Sequence, residues 1–374
     1  MNYVAKVLKQ YKVTILALIF GLVIYLSLLR RKGVKTVYHH RVSIGALFPP
    51  PPPPSRVSTV LEGLPIPAVY YGDYATAIEY LHRRDYVTPR NCSATIPKII
   101  HQTWKDEMIP IKFKSSVESI IANHPDFEYW MWTDALAEEF ISKKFPSFLP
   151  VYKSYPKAIN RADAIRYFVL YEYGGVYADL DIVSLRSLND LLGTHTFLIP
   201  EDHPFHTHII FGLNRIPLNA FMMSIPKHPF MKAVITHLAE YSKRKNILYT
   251  AGPMMLDLEL SRYEDVLGDR KDNSLCDAVY MGKWQNFIPL FLDNAVTIAA
   301  LKHKCGRKDG NPRKLKDCDF LRARNFTQLT LPDTAYTRHK FSHVHEAKTR
   351  KLMFHIADVA GESLRNVSQL LENI

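Results

Sequence analysis

The most informative part of the sequence is RADAIRYFVLYEYGGVYADLD, residues 161–181. It predicts a helix that ends at Gly174-Gly175, because glycine is common just past the end of a helix. The glycine pair reverses the chain, and a short strand at residues 176–178 returns beside the helix. That strand delivers two carboxylates, Asp179 and Asp181, at its carboxyl end.

Two pairs of side chains in this stretch point to one chemistry. Asp163 and Arg166 lie one helical turn apart and can contact one ligand; an ion pair without a ligand is the alternative. Asp179 and Asp181 share a face in extended geometry, and two hard oxygen donors suit Mn²⁺ or Mg²⁺. A metal that bridges a diphosphate neutralises charge on the leaving group, which a nucleotide-sugar transferase needs. An Asp-x-Asp pair alone is a weak signal, because solvated turns also contain it.

The surrounding sequence alternates between strand and helix signals. Strands are predicted at residues 98–101, 127–132, 176–178, 197–199 and 220–225. Helices are predicted at residues 115–123, 134–145 with Asp134 as the cap, 157–173, 229–241 and after Gly252-Pro253. Such alternation predicts an α/β fold with a mainly parallel sheet, whose ligands bind beyond the carboxyl ends of the strands. Trp104 follows the first strand, so we expect it to stack on a donor base or to serve as a core aromatic.

The N-terminal region predicts a membrane anchor. Residues 13–29 form an uncharged apolar run of about 26 Å as a helix. Basic residues follow at 30–32, where a cleaved signal peptide, the alternative, has small residues. Lysines and arginines flank both sides of the run, so the positive-inside rule does not fix its orientation. We interpret residues 1–12 as a tail and residues 13–29 as a single-pass anchor.

Patterns for N-glycosylation suggest that the body is lumenal. They occur at Asn91, Asn325 and Asn366, all beyond the anchor. We therefore expect a type II protein of the Golgi or endoplasmic reticulum membrane, with a cytosolic tail. Six prolines at residues 49–54 predict a stiff polyproline II spacer within a stem, residues 30–94. The catalytic domain is then 95–300, with a basic C-terminal extension at 301–374.

Cysteine spacing and charge exclude two classes of protein. The cysteines at 92, 276, 305 and 318 lack the spacing of a structural zinc site; Cys305 and Cys318 can form a disulfide, and free thiols are the alternative.

The net charge is +12, and residues 302–324 hold nine Lys or Arg against three Asp. Without a nucleic-acid-binding motif, this segment favours an anionic membrane or a phosphate-bearing acceptor over nucleic acid; a solvated loop is the alternative.

The combination of motifs resembles the DXD sugar-binding glycosyltransferases, a family that includes inositol-phosphoceramide mannosyltransferases, initiating α-1,6-mannosyltransferases and α-1,4-galactosyltransferases. The likeness begins in residues 161–181 and extends to residues 96–104, 132–134, 226–230 and 251–253. It covers roughly residues 95–260, and the spacing of its parts makes it specific.

The resemblance implies a GT-A type nucleotide-sugar fold and a retaining transferase. By that resemblance, Asp179 and Asp181 engage the metal and the donor diphosphate, and Asp163 and Arg166 hold sugar hydroxyls and the phosphate. Related GT-A enzymes often complete the metal site with a late histidine. His339, His343, His345 and His355 are late histidines, and we take His343 and His345 as candidates for a third ligand; surface or core roles are the alternative.

The resulting hypothesis is transfer of a hexose, mannose or galactose, from GDP-mannose or UDP-galactose. A lipid-linked acceptor at the membrane is preferred, either an inositol-phosphoceramide or a glycosphingolipid head group, because residues 219–230 resemble the sphingolipid branch of the family. A protein-linked N-glycan is the alternative acceptor. A membrane-tethered protein that binds sugar without catalysis is the alternative function.

A lumenal body makes a direct prediction for the expressed protein. Treatment with a glycosidase should increase its mobility on a gel, because glycans on Asn91, Asn325 or Asn366 would be removed. Unchanged mobility, together with digestion of the body by protease in sealed microsomes, would place the body in the cytosol instead.

Overall fold

The computed structural model describes residues 94–268, 277–289, 295–307, 311–327, 330–341, 352–372 and 374. The predicted tail, anchor and polyproline spacer lie outside these residues. Within them, no helix combines the length and the apolarity needed to cross a membrane.

Strands and helices alternate along most of the described chain. The strands are β1 Ile99–Thr103, β2 Met108–Pro110, β3 Glu128–Trp132, β4 Gly175–Ala178, β5 Ile182–Ser184, β6 Phe197–Pro200, β7 Phe221–Ser224, β8 Tyr280–Gly282, β9 Thr337–His339 and β10 Met353–His355. The α-helices are α1 Lys114–Asn123, α2 Asp134–Lys144, α3 Leu149–Ser154, α4 Ala158–Tyr173, α5 Pro229–Tyr241, α6 Ile247–Thr250, α7 Pro253–Gly268, α8 Trp284–Phe287, α9 Ala295–Cys305, α10 Pro312–Ala323, α11 Ala357–Ala360 and α12 Val367–Glu372. A π-helix, Phe205–Phe211, follows β6.

The main sheet has the strand order β3-β1-β4-β7-β6-β8. Its neighbouring strands are parallel except at β7, which is antiparallel to both β4 and β6. The α/β class with a mainly parallel sheet is therefore confirmed. The carboxyl ends of five of the strands meet at one edge, which we call the carboxyl edge, and β7 begins there.

Two small sheets connect the C-terminal extension to the body. β9 pairs with β5, which directly follows the Asp179-Leu180-Asp181 segment. β10 pairs with β2, which lies just beyond β1. The extension thus reaches the carboxyl edge through backbone hydrogen bonds.

The core lies on both faces of the main sheet, because successive strand residues point to opposite sides. Trp130 and Trp132 of β3 pack on one face with α2, α4, α5 and α7. Tyr129 and Met131 of the same strand pack on the other face with α1. Burial of a large apolar side chain contributes about 1.5–3 kcal/mol, and these two aromatic-rich layers fix the positions of the strands.

The chain reversal after α4 fits tightly against β1. Gly174 and Gly175 have φ angles of 66° and 93°, a region that favours glycine. A Cβ atom on Gly175 would lie 2.6 Å from the Ile99 carbonyl oxygen. The buried His101 side chain donates from Nε2 to the Gly174 carbonyl at 2.9 Å, and its Nδ1 accepts from Trp132 Nε1 at 3.1 Å. Only the bare glycine backbone fits this contact.

One helix start differs from the sequence-based expectation. Asp134 was predicted to cap the second helix, but it is the first helical residue. The cap is Thr133, whose side chain accepts from the Leu136 amide. Asp134 instead places a negative charge in the first turn, where the helix dipole favours it.

The reversal predicts a sharp difference between two glycines. Gly175→Ala is expected to lower the free energy of unfolding by about 2–5 kcal/mol, because it combines backbone strain with overpacking. Gly193→Ala is the control, since its Cβ would meet only Thr95 Cγ2 at 4.0 Å, and a change within about 0.5 kcal/mol is expected. Denaturant titration measures both, and equal losses would contradict the assigned role of the reversal.

Candidate functional site

The Asp179-Leu180-Asp181 segment is held at the carboxyl edge by backbone contacts. The Asp179 amide donates to the Ala220 carbonyl at 2.8 Å, where β7 begins. The Gln102 side chain at the end of β1 donates to the carbonyls of Ala178 and Asp179 at 3.1 and 3.2 Å. The buried Tyr129 hydroxyl in turn donates to Gln102. Neighbouring strands therefore fix the backbone from which both carboxylates project.

Arg166 lies at the centre of the site and is buried. Its guanidinium lies 2.9 Å from the Asp163 carboxylate and 3.4 Å from that of Asp179. It also donates to the Asn219 carbonyl at 2.7 Å and lies 4.6 Å from the centre of the Tyr177 ring. One cation thus holds two carboxylates from α4 and the end of β4. Asp163 and Arg166 share a helix face as expected, and Asp179 joins their ion pair.

Asn219 and Tyr177 complete this cluster. The Asn219 amide donates to Asp163 Oδ1 at 3.1 Å, and the Tyr177 hydroxyl donates to Asp179 Oδ1 at 2.8 Å. The Asp179 side chain remains 31% exposed, whereas that of Asp163 is 11% exposed. Asp179 therefore faces the solvent-accessible side of the cluster, where a ligand can reach it.

Burial dominates the acid–base properties of the two carboxylates. It raises the pKa of Asp163 to about 7; Arg166 and Asn219 act in the opposite direction, and the negative charge of Asp179 adds to the increase. Burial also raises the pKa of Asp179, against the attraction of Arg166. Two carboxylates share a single guanidinium here, so the ligand-free cluster resists carrying both negative charges.

Asp181 pairs with a histidine from the C-terminal extension. His339 Nε2 lies 3.1 Å from Asp181 Oδ1, across the β5–β9 pairing. Burial lowers the pKa of His339, but the negative charges of Asp181, Asp179 and Asp202 and the hydrogen bond to Asp181 together outweigh it, so the net direction is upward. His339 Nδ1 is buried and has no hydrogen-bond partner among the described residues. His343 and His345, the predicted candidates for a third ligand, lie outside those residues.

The donor set fits a hard divalent cation. Among the described residues, no three His, Cys, Asp or Glu side chains are grouped closely enough to hold a metal by themselves. Mg²⁺ and similar ions, however, commonly take one or two carboxylates and complete their shell with water and substrate phosphates. The part-exposed carboxylate of Asp179 and the neighbouring carboxylate of Asp181 offer that incomplete set.

A second polar group follows β6 at the same edge. The buried Asp202 carboxylate bonds to Nδ1 of His206 in the π-helix. The His206 ring packs 5.5 Å from Phe341, which lies 4.1 Å from the His339 ring. A line of aromatic rings therefore connects the π-helix to the histidine beside Asp181. π-Helical turns occur frequently at functional sites.

The remaining predicted residues occupy varied positions. Trp104 is half-buried at the end of β1, with its ring 5.7 Å from Phe113, so its predicted contact with a donor base stays a prediction. Asn325 and Asn366 are exposed, as glycan acceptors must be, and Asn91 lies outside the described residues. Cys305 and Cys318 form a disulfide, which confirms the predicted pairing.

Three residues of the site were not singled out in the sequence. Gln102 directly follows the buried His101 in β1. A polar residue at the end of an otherwise apolar strand was the signal by which Gln102 could have been identified. Asn219 lies in a segment noted only for its resemblance. His339 was one of several late histidines, and its strand pairing with β5, not its spacing, brings it to Asp181.

Comparison with known proteins gives a class for this site. Residues 110–198 match a family described as "Glycosyltransferase sugar-binding region containing DXD motif". The match includes Asp163, Arg166, Asp179 and Asp181. The resemblance inferred from residues 161–181 is therefore confirmed.

Two curated relatives are similar to this chain over about 175 residues each. The chain is 37% identical over 176 residues to inositol phosphoceramide mannosyltransferase 1 of Schizosaccharomyces pombe, covering 45% of this chain and 52% of that protein. It is 40% identical over 174 residues to a mannosyl phosphorylinositol ceramide synthase of Saccharomyces cerevisiae, covering 45% and 43%. The chain thus spans about half the length of these curated relatives.

More distant similarities extend the comparison. An initiation-specific alpha-1,6-mannosyltransferase of Candida albicans is 25% identical over 139 residues, covering 35% of this chain and 36% of that protein. A solved structure titled "PaToxG Glycosyltransferase" aligns with a TM-score of 0.36 and 16% identity over 67% of this chain and 95% of that chain. A score at that level does not establish a shared fold.

The buried Asp163 makes stability depend on pH. Its pKa is about 7 in the folded chain and 3.8 in the unfolded one, so the unfolded chain loses this proton first as pH rises. The free energy of unfolding should therefore fall between about pH 4 and pH 7 through this group. Asp163→Asn should flatten that fall in denaturant titrations, whereas Asp358→Asn, at an exposed position, should not. An identical pH dependence in the Asp163→Asn variant would show that the carboxyl ionises normally.

Proposed function

We propose that the chain is a metal-dependent glycosyltransferase that moves a hexose, preferably mannose, from a nucleotide sugar to an inositol-phosphoceramide head group at a membrane. The observation that carries the proposal is the convergence of Asp163, Arg166 and Asp179 at the carboxyl edge, with Asp181 beside them. This edge is where parallel α/β sheets bind their ligands. A GT-A type fold is part of the proposal.

The two carboxylates of the DXD segment are the proposed metal ligands. Asp179 and Asp181 would hold Mn²⁺ or Mg²⁺, and His339, whose Nε2 lies 3.1 Å from Asp181 Oδ1, would assist them. A bound divalent ion supplies positive charge that stabilises a departing diphosphate. Gln102 and Tyr177 fix the backbone and side chain of Asp179, so the site needs little rearrangement before the metal binds.

Arg166 and Asp163 are proposed to bind the donor. Arg166 is fixed by the Asn219 carbonyl and the Tyr177 ring, so its charge stays in place whether or not a ligand is present. With Asp179 engaged by the proposed metal, the Arg166 guanidinium would face one carboxylate fewer and could attract a donor phosphate. Asp163 then accepts from a donor hydroxyl while it remains bonded to Asn219.

The acceptor is proposed from the relatives together with the charge of the extension. The two relatives that are 37% and 40% identical are named for inositol phosphoceramide, whereas the α-1,6-mannosyltransferase is 25% identical. An inositol phosphate head group also complements the basic segment at residues 302–324. The proposed reaction retains the anomeric configuration of the sugar by front-face displacement. The proposed location of the body is the Golgi lumen, on a single-pass anchor. A protein-linked N-glycan acceptor remains the alternative.

A donor-hydrolysis assay tests the enzyme class and the donor together. The purified full-length chain is incubated with a panel of nucleotide sugars, including GDP-mannose and UDP-galactose, in the presence of Mn²⁺. We expect one donor to release its nucleotide, and we expect chelation of the metal to abolish that release. If the chain binds sugar but turns over none of the donors in a metal-dependent way, that outcome would favour a non-catalytic sugar-binding protein.

The metal assignment predicts the effect of a single substitution. Asp181→Asn is expected to lower the transfer rate by about two orders of magnitude or more, because a metal ion contributes several kcal/mol to transition-state stabilisation. The fold should persist, since the exchange keeps the shape of the side chain. Asp358→Asn makes the same chemical change at an exposed site and should leave the rate unchanged. Near-normal turnover of the Asp181→Asn variant in Mn²⁺ would refute the metal assignment.

A further inference from the structure

A pair of basic helices spans the start of the C-terminal extension. α9 and α10 are joined by the Cys305–Cys318 disulfide, and we call residues 295–307 and 311–327 the basic hairpin. Its described residues include eight Lys or Arg and two Asp. The exposed members of the basic set are Lys302, Arg307, Arg313, Lys316, Arg322 and Arg324. The hairpin is a covalently fixed, strongly cationic surface.

Large apolar side chains are exposed on the same hairpin. Val296 is 70% exposed, Leu315 40% and Phe320 42%. The Arg324 guanidinium lies 4.9 Å from the centre of the Phe320 ring, so cationic and apolar groups are interleaved. Basic side chains near a membrane attract lipid phosphates, and exposed apolar side chains can enter the boundary of the acyl chains.

The hairpin packs against an element of the carboxyl edge. Asp317 of α10 bonds to His208 of the π-helix at 2.6 Å. The Phe320 ring lies 5.9 Å from that of Phe205, at the start of the π-helix. The same π-helix carries His206, which Asp202 holds at the end of β6. The cationic surface and the candidate site are therefore connected through one short element.

We propose that the basic hairpin is a docking surface for an anionic bilayer. Lipid phosphates bind its exposed lysines and arginines, and Val296 and Leu315 enter the head-group boundary. Charge complementarity selects this occupant; for the lumenal body of the proposed function, inositol-phosphoceramide head groups would supply the negative charge, so the choice of lipid rests on that proposal. The predicted anchor at residues 13–29 would keep the surface at a high effective concentration near lipid. Docking requires no donor, metal or turnover, so the inference goes beyond the proposed reaction.

The experiment is hydrogen–deuterium exchange of the full-length chain in phosphatidylcholine nanodiscs with and without phosphatidylinositol. Hairpin amides are expected to exchange about fivefold or more slowly on the anionic discs, because each nearby basic side chain adds attraction of about that factor. Amides of α4 and of β4, which lie in the core, serve as the internal reference and should be unchanged.

Two matched triple variants separate this surface from net charge. The first combines Lys302→Gln, Arg313→Gln and Lys316→Gln, and it should abolish the slowing. The second combines Lys243→Gln, Arg244→Gln and Lys245→Gln, which are exposed and follow α5, and it should retain the slowing. Normal exchange of both variants on phosphatidylcholine discs shows that they are folded. Val296→Ser with Leu315→Ser should also reduce the slowing.

Several outcomes would overturn the proposal. The first two are equal exchange of the hairpin amides on both kinds of disc, and an equal loss of the slowing in both triple variants. A slowing that depends on protein concentration would indicate a second copy of the chain. A slowing that soluble inositol phosphate produces on phosphatidylcholine discs would indicate a phosphate site without a bilayer. The measurement is repeated on the Asn325→Gln variant, because a glycan on this predicted acceptor would lie just beyond α10. Slowing in that variant alone would mean that the glycosylated chain does not dock in this way. Donor hydrolysis, assayed on the same samples, reports separately on the proposed function.

Discussion

The fold and the site both depend on the close contact between the Gly174-Gly175 reversal and β1. Because the glycine backbone approaches the Ile99 carbonyl without a Cβ atom between them, α4 can turn directly into β4 in the middle of the sheet. Arg166 on the helix then lies opposite Asp179 at the end of the strand. A longer or bulkier turn would separate these two side chains. His101, buried beneath the turn, satisfies the Gly174 carbonyl that the reversal leaves unpaired within the helix.

The electrostatics of the site follow from that geometry. One buried guanidinium faces two carboxylates, and burial without full compensation raises the pKa of both Asp163 and Asp179. A ligand-free cluster of this kind has a free-energy reason to accept more positive charge. In the proposed function a divalent cation would supply that charge, so the cost of burying the carboxylates would favour its binding.

Local sequence patterns predicted the central part of the fold well. Residues 157–173 were expected to be helical, and α4 runs from Ala158 to Tyr173; the following strand and the convergence of Asp163 with Arg166 were also anticipated. These features depend on neighbours within one turn or one reversal. Asn219 and His339 were not anticipated as partners of these aspartates, since the contacts depend on the registers of β7 and β9, which link distant parts of the chain. No spacing rule encodes such registers.

The pairing of β5 with β9 has a consequence for how the protein is made. Asp181 and His339 are 158 residues apart, so a growing chain contains the DXD segment long before the strand that brings His339 to it. Ribosomal synthesis proceeds at roughly 5–20 residues per second, which leaves an interval of roughly ten seconds or more. The main sheet up to β7 can assemble in that interval, but Asp181 lacks its histidine partner until β9 has been synthesised. A nascent chain therefore passes through a stage with a formed sheet and an incomplete site.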